Sequence, residues 1–165
     1  MIEFIKVREV KDPIRDPNEN AGIDVFIPEK SDSVIAEIVD FNPSITFDGN
    51  TIIIPAHEDI LIPAGIKSKF DKNLALMANN KSGVSTKNKL IFGAQLIDSS
   101  YQGEWHLHLI NFSNKTQYLE FGKKALQFVP VVINTENHTI FNGTEEEFFT
   151  VKTDRGSGGF GSTGV

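Results

Sequence analysis

The sequence predicts an all-β fold, a barrel or a sandwich, and three observations carry that prediction. Short runs of apolar and β-branched residues recur at close spacing, with glycine and proline between them. The stretch EWHLHLIN, residues 104–111, alternates strictly between two faces, as a strand with one buried side must. No segment reads as a convincing amphipathic helix. At 165 residues the chain has the length of one domain with its own core.

Taken in order, residues 2–10 alternate imperfectly, with Ile2, Phe4, Val7 and Val10 set against Glu3, Lys6, Arg8 and Glu9, and read as a half-buried first strand. Pro13 and Pro17 bar a helix in the polar turn-rich segment that follows. AGIDVF, residues 21–26, is a small-residue entry into a short strand that Pro28 ends. Residues 33–62 read as strands and turns: VIAEIVDF, a turn at Asn42-Pro43, SITF, a hairpin turn at Asp48-Gly49-Asn50, TIIIPA and ILIPAGI. Residues 73–78 fit helix or strand equally, and 79–87 are turn-like. Residues 90–92 and 95–97 flank Gly93-Ala94 and suggest a hairpin feeding Asp98. The apolar run 125–133 is a buried strand that Pro130 interrupts near an edge. Residues 134–154 are polar and acidic and read as a connector with a short strand at 148–151, and Glu145 to Glu147 as a solvated face.

Composition narrows the function. Sixteen basic residues against 22 acidic ones give a net charge of -6, which argues against a nucleic-acid surface and against anionic membranes as partners. With no cysteine there are no disulfides and no thiolate zinc sites. No apolar run approaches the length of a membrane span, and MIEFIKVREV carries charges where a signal peptide needs an apolar block. The expectation is a cytoplasmic protein, or one of the host cytoplasm if viral, and not a secreted one.

The last eleven residues, RGSGGFGSTGV, hold five of the 13 glycines. Two readings fit them. Gly/Ser tails serve as flexible linkers. Glycine-rich backbone also wraps phosphate oxygens, with Arg155 as a bidentate cation, Ser157, Ser162 and Thr163 as hydroxyl donors and Phe160 as a stacking face for a base. A Walker loop is excluded, because Ser162 stands where lysine is required and no helix follows.

Among the remaining polar residues, His106 and His108 share one strand face and form a possible metal pair, but no third ligand is evident and ordinary surface histidines fit as well. His57 and His138 have no evident partner. Asp98 ends an apolar strand, with Tyr101 and Gly103 close behind. A carboxylate there orients and deprotonates a water, or simply initiates a turn.

Read together, five stations order these residues: Ala21-Gly22-Ile23-Asp24, Lys81-Ser82-Gly83, Ile97-Asp98-Ser99-Ser100-Tyr101-Gln102-Gly103, Gly122 with Gln127, and the tail. In that order and separation they resemble the five motifs of the homotrimeric dUTPase family, nearly end to end. AGIDVF, IDSSYQGE and RGSGGFGSTG are the most specific parts. The resemblance implies a distorted β-barrel of jelly-roll type over residues 1–154 and a flexible arm over 155–165 that closes a site built by other subunits of a homotrimer. It implies hydrolysis of dUTP to dUMP and pyrophosphate, with Asp98 activating the water that attacks the α-phosphorus. Tyr101 would pack on the deoxyribose and exclude a 2′-hydroxyl, and Asp24 would support the site. Lys81, Ser82, Gly83 and Gln127 would hold the triphosphate, and Gln95 and Ile97 would lie in the hairpin that reads uracil. In the arm, Arg155, Ser162 and Thr163 would cover the γ-phosphate while Phe160 stacks on the base, and Gly161 would also bind the substrate. Mg²⁺ would ride on the triphosphate and water rather than on protein ligands.

Three departures qualify the likeness. Asn80-Lys81-Ser82-Gly83 replaces the usual Pro-Arg-Ser-Gly or Pro-Arg-Ser-Ser, which keeps the charge but loses the planar fork. Gln95 stands where the base-reading hairpin usually has glycine, and residues 29–54 look like an inserted hairpin. The alternatives are a pyrophosphatase of another pyrimidine deoxynucleotide, a nucleotide-binding regulatory protein of the same fold, and the related dCTP deaminases, which need a glutamate where this chain has His108.

Overall fold

The computed structural model describes residues 1–16, 18, 20–134 and 139–153. The chain divides into two compact units, 1–134 and 135–165.

Four sheets make up the first unit. β1 (Ile2–Lys6) pairs with β6 (Ile66–Phe70), and β10 (His106–Asn111) lies between β5 (Asp59–Pro63) and β8 (Leu90–Phe92). β4 (Thr51–Ile54) lies between β3 (Thr46–Asp48) and β11 (Gln117–Glu120). The fourth sheet has the order β2 (Ile23–Phe26), β12 (Lys124–Val132), β7 (Leu74–Asn80), β9 (Leu96–Asp98). All pairings are antiparallel, and the sheets remain separate rather than closing into one cylinder. Their inner faces meet in one core, where Ile52, Ile54, Ile60, Ile62, Leu107, Leu109 and Leu126 are supplied by alternate strand positions around Trp105 and Phe128. The all-β expectation holds for this unit, with short helices added. No helix among the described residues is long and apolar enough to cross a membrane.

The turn at Gly49-Asn50 closes the β3–β4 hairpin, with Asp48 opposite Thr51. Pro130 sits in β12 beyond the stretch that pairs with β2, which ends at Phe128, so its missing N–H faces the side without a neighbour strand.

Three elements differ from the sequence reading. VIAEIVDF is a helix, α1 (Asp32–Phe41), so residues 29–54 hold a helix followed by the β3–β4 hairpin. Ser31 caps it by accepting from the Val34 N–H, Asp32 opposes the helix dipole, and Val34 and Ile38 bury one face. The β-branched residues suggested a strand, but the burial period is four and not two. α2 (Ser82–Lys87) occupies the turn-like stretch after β7. In the second unit the acidic run forms α3 (Glu145–Phe148), closed by a capping box between Thr144 and Glu147, and the strand expected at 148–151 is absent. The carboxylates at its first turn face solvent, as a solvated acidic run should.

Candidate active site

The fourth sheet positions most of the candidate residues, in two groups. In the first, Asp24 on β2 lies opposite Gln127 on β12, and Gln127 lies opposite Asn79 on β7. Lys81 follows directly where β7 gives way to α2, and its Nζ donates to Asp24 Oδ1 at 2.5 Å. Lys124 Nζ approaches Asp24 Oδ2 at 2.8 Å. Burial pushes the Asp24 carboxyl up, but the bonded Lys124 and Lys81 ammonium groups outweigh it and hold the group below the usual carboxylate range. Two lysines on one carboxylate leave this corner with a net positive charge, suited to a polyanion. Gln127 Nε2 donates to the Asn80 carbonyl, and the Asn80 side chain accepts from the Phe92 N–H, so the end of β7 is held from both sides. Ser82 and Gly83 are exposed at the start of α2, and nothing surrounds the position a Gly83 Cβ would take.

The depressed Asp24 titration makes a prediction. Its contribution to stability is complete above the ordinary carboxylate range, near pH 4, and disappears as pH falls through the lower folded-state value. Asp24→Asn should therefore cost about 2 kcal/mol at neutral pH, below the roughly 3 to 5 kcal/mol for breaking a fully buried pair because both lysines are partly solvated. Urea unfolding at pH 7 and at pH 3 checks this: the gap to wild type should narrow at the lower pH.

The second group surrounds a cavity of about 180 Å³ lined by Leu61, residues 94–98, Tyr101, His106 and Phe128. Asp98 ends β9, and its carbonyl accepts from the Tyr101 N–H to close a tight turn. The turn reading of Asp98 and the chemical one are thus compatible, since no described group bonds its exposed carboxylate. The Tyr101 hydroxyl donates to the Glu104 carbonyl at 2.8 Å. Its ring lies against Gly103, where a Cβ would come within 2.3 Å of the hydroxyl oxygen, so only glycine fits beneath it. Glu104 is itself fixed, accepting from Arg8 Nε at 2.7 Å and from the Gly65 N–H at 2.8 Å. The Glu104 hydrogen bond raises the Arg8 titration, burial opposes it, and Glu37 adds to the rise. Arg8 also binds Glu37 and Ser33 of α1, which ties the helix to the Asp98–Glu104 turn.

Residues 90–97 do not form the expected hairpin. β8 pairs with β10 and β9 pairs with β7, so the Gly93-Ala94-Gln95 link passes from one sheet to another. The Gly93 N–H donates to the His108 carbonyl, while the Gln95 carbonyl accepts from the Ala78 N–H. Gln95 and Ile97 line the cavity. His106 and His108 do share a face, yet they are engaged separately, His106 with the Glu104 carbonyl and His108 with Asp59. Among the described residues no three His, Cys, Asp or Glu side chains converge as a metal site.

The two groups do not meet within one chain. Asp98 pairs with Ala75 at one end of β7, and Lys81 follows Asn80 at the other, six residues along. At strand rise that separates them by about 20 Å. The tail candidates Arg155, Phe160, Gly161, Ser162 and Thr163 lie outside the described residues, as does His138.

A model of the dUTPase family matches residues 47–164. The chain belongs to the dUTPase family. The match to this family takes in residues 81–83, 95–101, 127 and 155–163 and begins downstream of Asp24. The deoxyuridine 5'-triphosphate nucleotidohydrolase of Glaesserella parasuis serovar 5 is 42% identical over 118 residues, covering 68% of this chain and 73% of that relative. The Haemophilus ducreyi protein of the same name is 35% identical over 118 residues, 70% of this chain and 74% of the relative. Among solved dUTPases, that of Staphylococcus bacteriophage 80alpha with dUpNHpp superposes with a TM-score of 0.75 at 19% identity, covering 100% of this chain and 99% of that one. The EIAV dUTPase gives a TM-score of 0.62 at 19% identity over 88% and 99% of the two chains. The phage phi11 dUTPase, whose mutant reveals the coordination of a structural Mg(II) ion, gives 0.68 at 18% identity over 88% of this chain and 99% of that one. These structures support the fold.

Lys124, Glu104 and Arg8 were not among the residues the sequence assigned a role in the site. Lys124 had a signal, standing three residues before Gln127 in the Gly122 station, and Glu104 closes the IDSSYQGE motif. Arg8 had none, because its partners are 25 to 96 residues away.

Proposed function

We infer that the chain hydrolyses dUTP to dUMP and pyrophosphate, controlling the dUTP level and supplying dUMP in the cytoplasm. The observation that carries this reading is the exposed carboxylate of Asp98, which no described group bonds, in the lining of a cavity of about 180 Å³ in a chain of the dUTPase family. Asp98 orients a water and takes its proton as the oxygen attacks the α-phosphorus in line. Tyr101, held by the Glu104 carbonyl and backed by Gly103, presents a fixed ring to the deoxyribose and leaves no room for a 2′-hydroxyl. Ala94, Gln95 and Ile97 face the base, Lys81, Ser82, Gly83 and Gln127 hold the triphosphate, and Asp24 keeps Lys81 in place. The arm, residues 155–165, covers the γ-phosphate and stacks Phe160 on uracil.

The separation of the two groups along β7 supports a homotrimer, in which the Asp98 cavity of one subunit faces the Lys81 corner of the next. Light scattering should return about three times the 18.3 kDa chain mass. The donor set suits Mg²⁺ carried by the substrate: with no convergent protein cluster among the described residues, the triphosphate oxygens and water would be its ligands. Bound there, Mg²⁺ would supply charge neutralisation on the polyphosphate.

A second reading, a preference for another pyrimidine, is favoured by one observation, the presence of Gln95 in the cavity lining. One experiment tests both. The protein is incubated with Mg²⁺ and each deoxynucleoside triphosphate, and pyrophosphate and ammonia are measured. Pyrophosphate from dUTP alone supports the main reading, and release from dTTP or dCTP at a higher rate supports the second. Ammonia from dCTP, or no pyrophosphate from any of them, contradicts both.

A further inference from the structure

The link between β8 and β9 crosses from one sheet to another, and a histidine outside the cavity fixes its course. Ala94 N–H donates to His108 Nδ1 at 2.9 Å. A backbone N–H only donates, so Nδ1 carries the lone pair and the proton of the neutral ring sits on Nε2. That nitrogen is 2.8 Å from Asp59 Oδ2 and donates to it. The ring is further held by an edge contact with Phe41 at the end of α1, 6.1 Å between centroids. Gly93 completes the fit, because a Cβ there would lie 2.1 Å from Nδ1: the imidazole fills the space that any other residue at 93 would need.

Ala94 and Gln95 line the cavity while His108 does not. On the reading given above, in which this link faces the base, we propose that His108 is a positioning residue for base recognition: braced by Asp59, it accepts from Ala94 and sets the path of residues 93–95 along the cavity. Among the described residues the link has three other restraints. These are the Gly93 N–H to the His108 carbonyl, the Gln95 carbonyl to the Ala78 N–H, and the strands on either side. Without the imidazole acceptor, Ala94 has no described partner for its N–H and the middle of the link is free to relax. Among the described residues no hydrogen bond joins His108 to the triphosphate corner at Asp24 or to the Asp98–Tyr101 turn, so chemistry on bound substrate is left intact.

The test uses the full chain and steady-state kinetics on dUTP, dTTP and dCTP. His108→Phe keeps a ring of similar size and removes both hydrogen bonds. Its KM for dUTP should rise about five- to tenfold, the effect of one lost hydrogen bond with an unsatisfied partner, and its preference for dUTP should fall by a similar factor. The kcat should stay within about twofold of wild type. His108→Asn places Oδ1 where Nδ1 stood and should recover at least half of the lost preference, which a general packing defect would not allow. The proposal is overturned if the folded Phe variant keeps wild-type KM and preference, or if the Asn variant is no better than Phe. Should the Phe variant fail to fold, Asp59→Ala removes the brace at a half-exposed position. A KM increase of about two- to threefold then supports the proposal and an unchanged KM overturns it. Wild-type hydrolysis of dUTP in the same assay reports on the functional reading itself, so an inactive wild type and an unaffected variant are separate results. A ¹⁵N spectrum of the histidine rings gives a readout independent of activity: His108 should show a protonated Nε2 and an unprotonated Nδ1, and the opposite tautomer overturns the proposal.

Discussion

Asp98→Asn should bind nucleotide as wild type does and lose about a thousandfold in kcat, within the range for removing a general base. The side chain projects from the end of β9 into solvent at the cavity, and no described group bonds it, so an amide of the same shape disturbs neither fold nor pocket. What the amide lacks is the ability to take a proton from water. Calorimetry with dUpNHpp, together with steady-state kinetics on dUTP, separates the two effects. Unchanged affinity with collapsed kcat places Asp98 in the proton transfer, whereas unchanged turnover removes it from that role. The melting temperature should stay where it was, since the residue contributes nothing to the core.

Removing residues 155–165 should lower kcat/KM by a hundredfold or more and leave the melting transition unchanged. The stability half of this prediction rests on the core, whose members all fall between Val10 and Phe128. The activity half rests on the proposed role of the arm: there Arg155, Ser162, Thr163 and the glycine N–H groups would donate to the γ-phosphate, and positioning a polyanion for in-line attack is worth several kcal/mol. A truncated protein that melts early would make the arm structural. One that retains full turnover would leave it as a linker, the other reading its composition allows.

Much of this was legible in the sequence because strand alternation and turn chemistry are local. The EWHLHLIN strand, the Gly49-Asn50 hairpin and the entry into β2 follow from neighbours a few residues apart. α1 was misread for the opposite reason: Val34, Ile35, Ile38 and Val39 carry β-propensity, and burial against the core together with the Ser31 cap overrides it. The β8–β9 link looked like a hairpin because glycine followed by a strand usually makes one, and nothing local records that β9 joins a different sheet. The candidate site residues were found as separate stations. Their division into a two-lysine corner at Asp24 and a cavity at Asp98, about 20 Å apart, depends on strand register, which a single sequence does not display. The second lysine on Asp24 and the Arg8–Glu104 brace were hidden for the same reason.

If the proposed function holds, the two groups act on one dUTP molecule only when different chains bring them together. Subunit mixing tests it directly. Asp98→Asn and Lys81→Ala are each prepared, unfolded, mixed and refolded together, and pyrophosphate release from dUTP is measured. Each variant alone should be nearly inactive. The mixture should recover about a quarter of wild-type activity, the share of sites in which random assembly pairs an intact Asp98 cavity with an intact Lys81 corner. A mixture as inactive as its parents, beside wild-type protein that survives the same refolding with full activity, would contradict the claim.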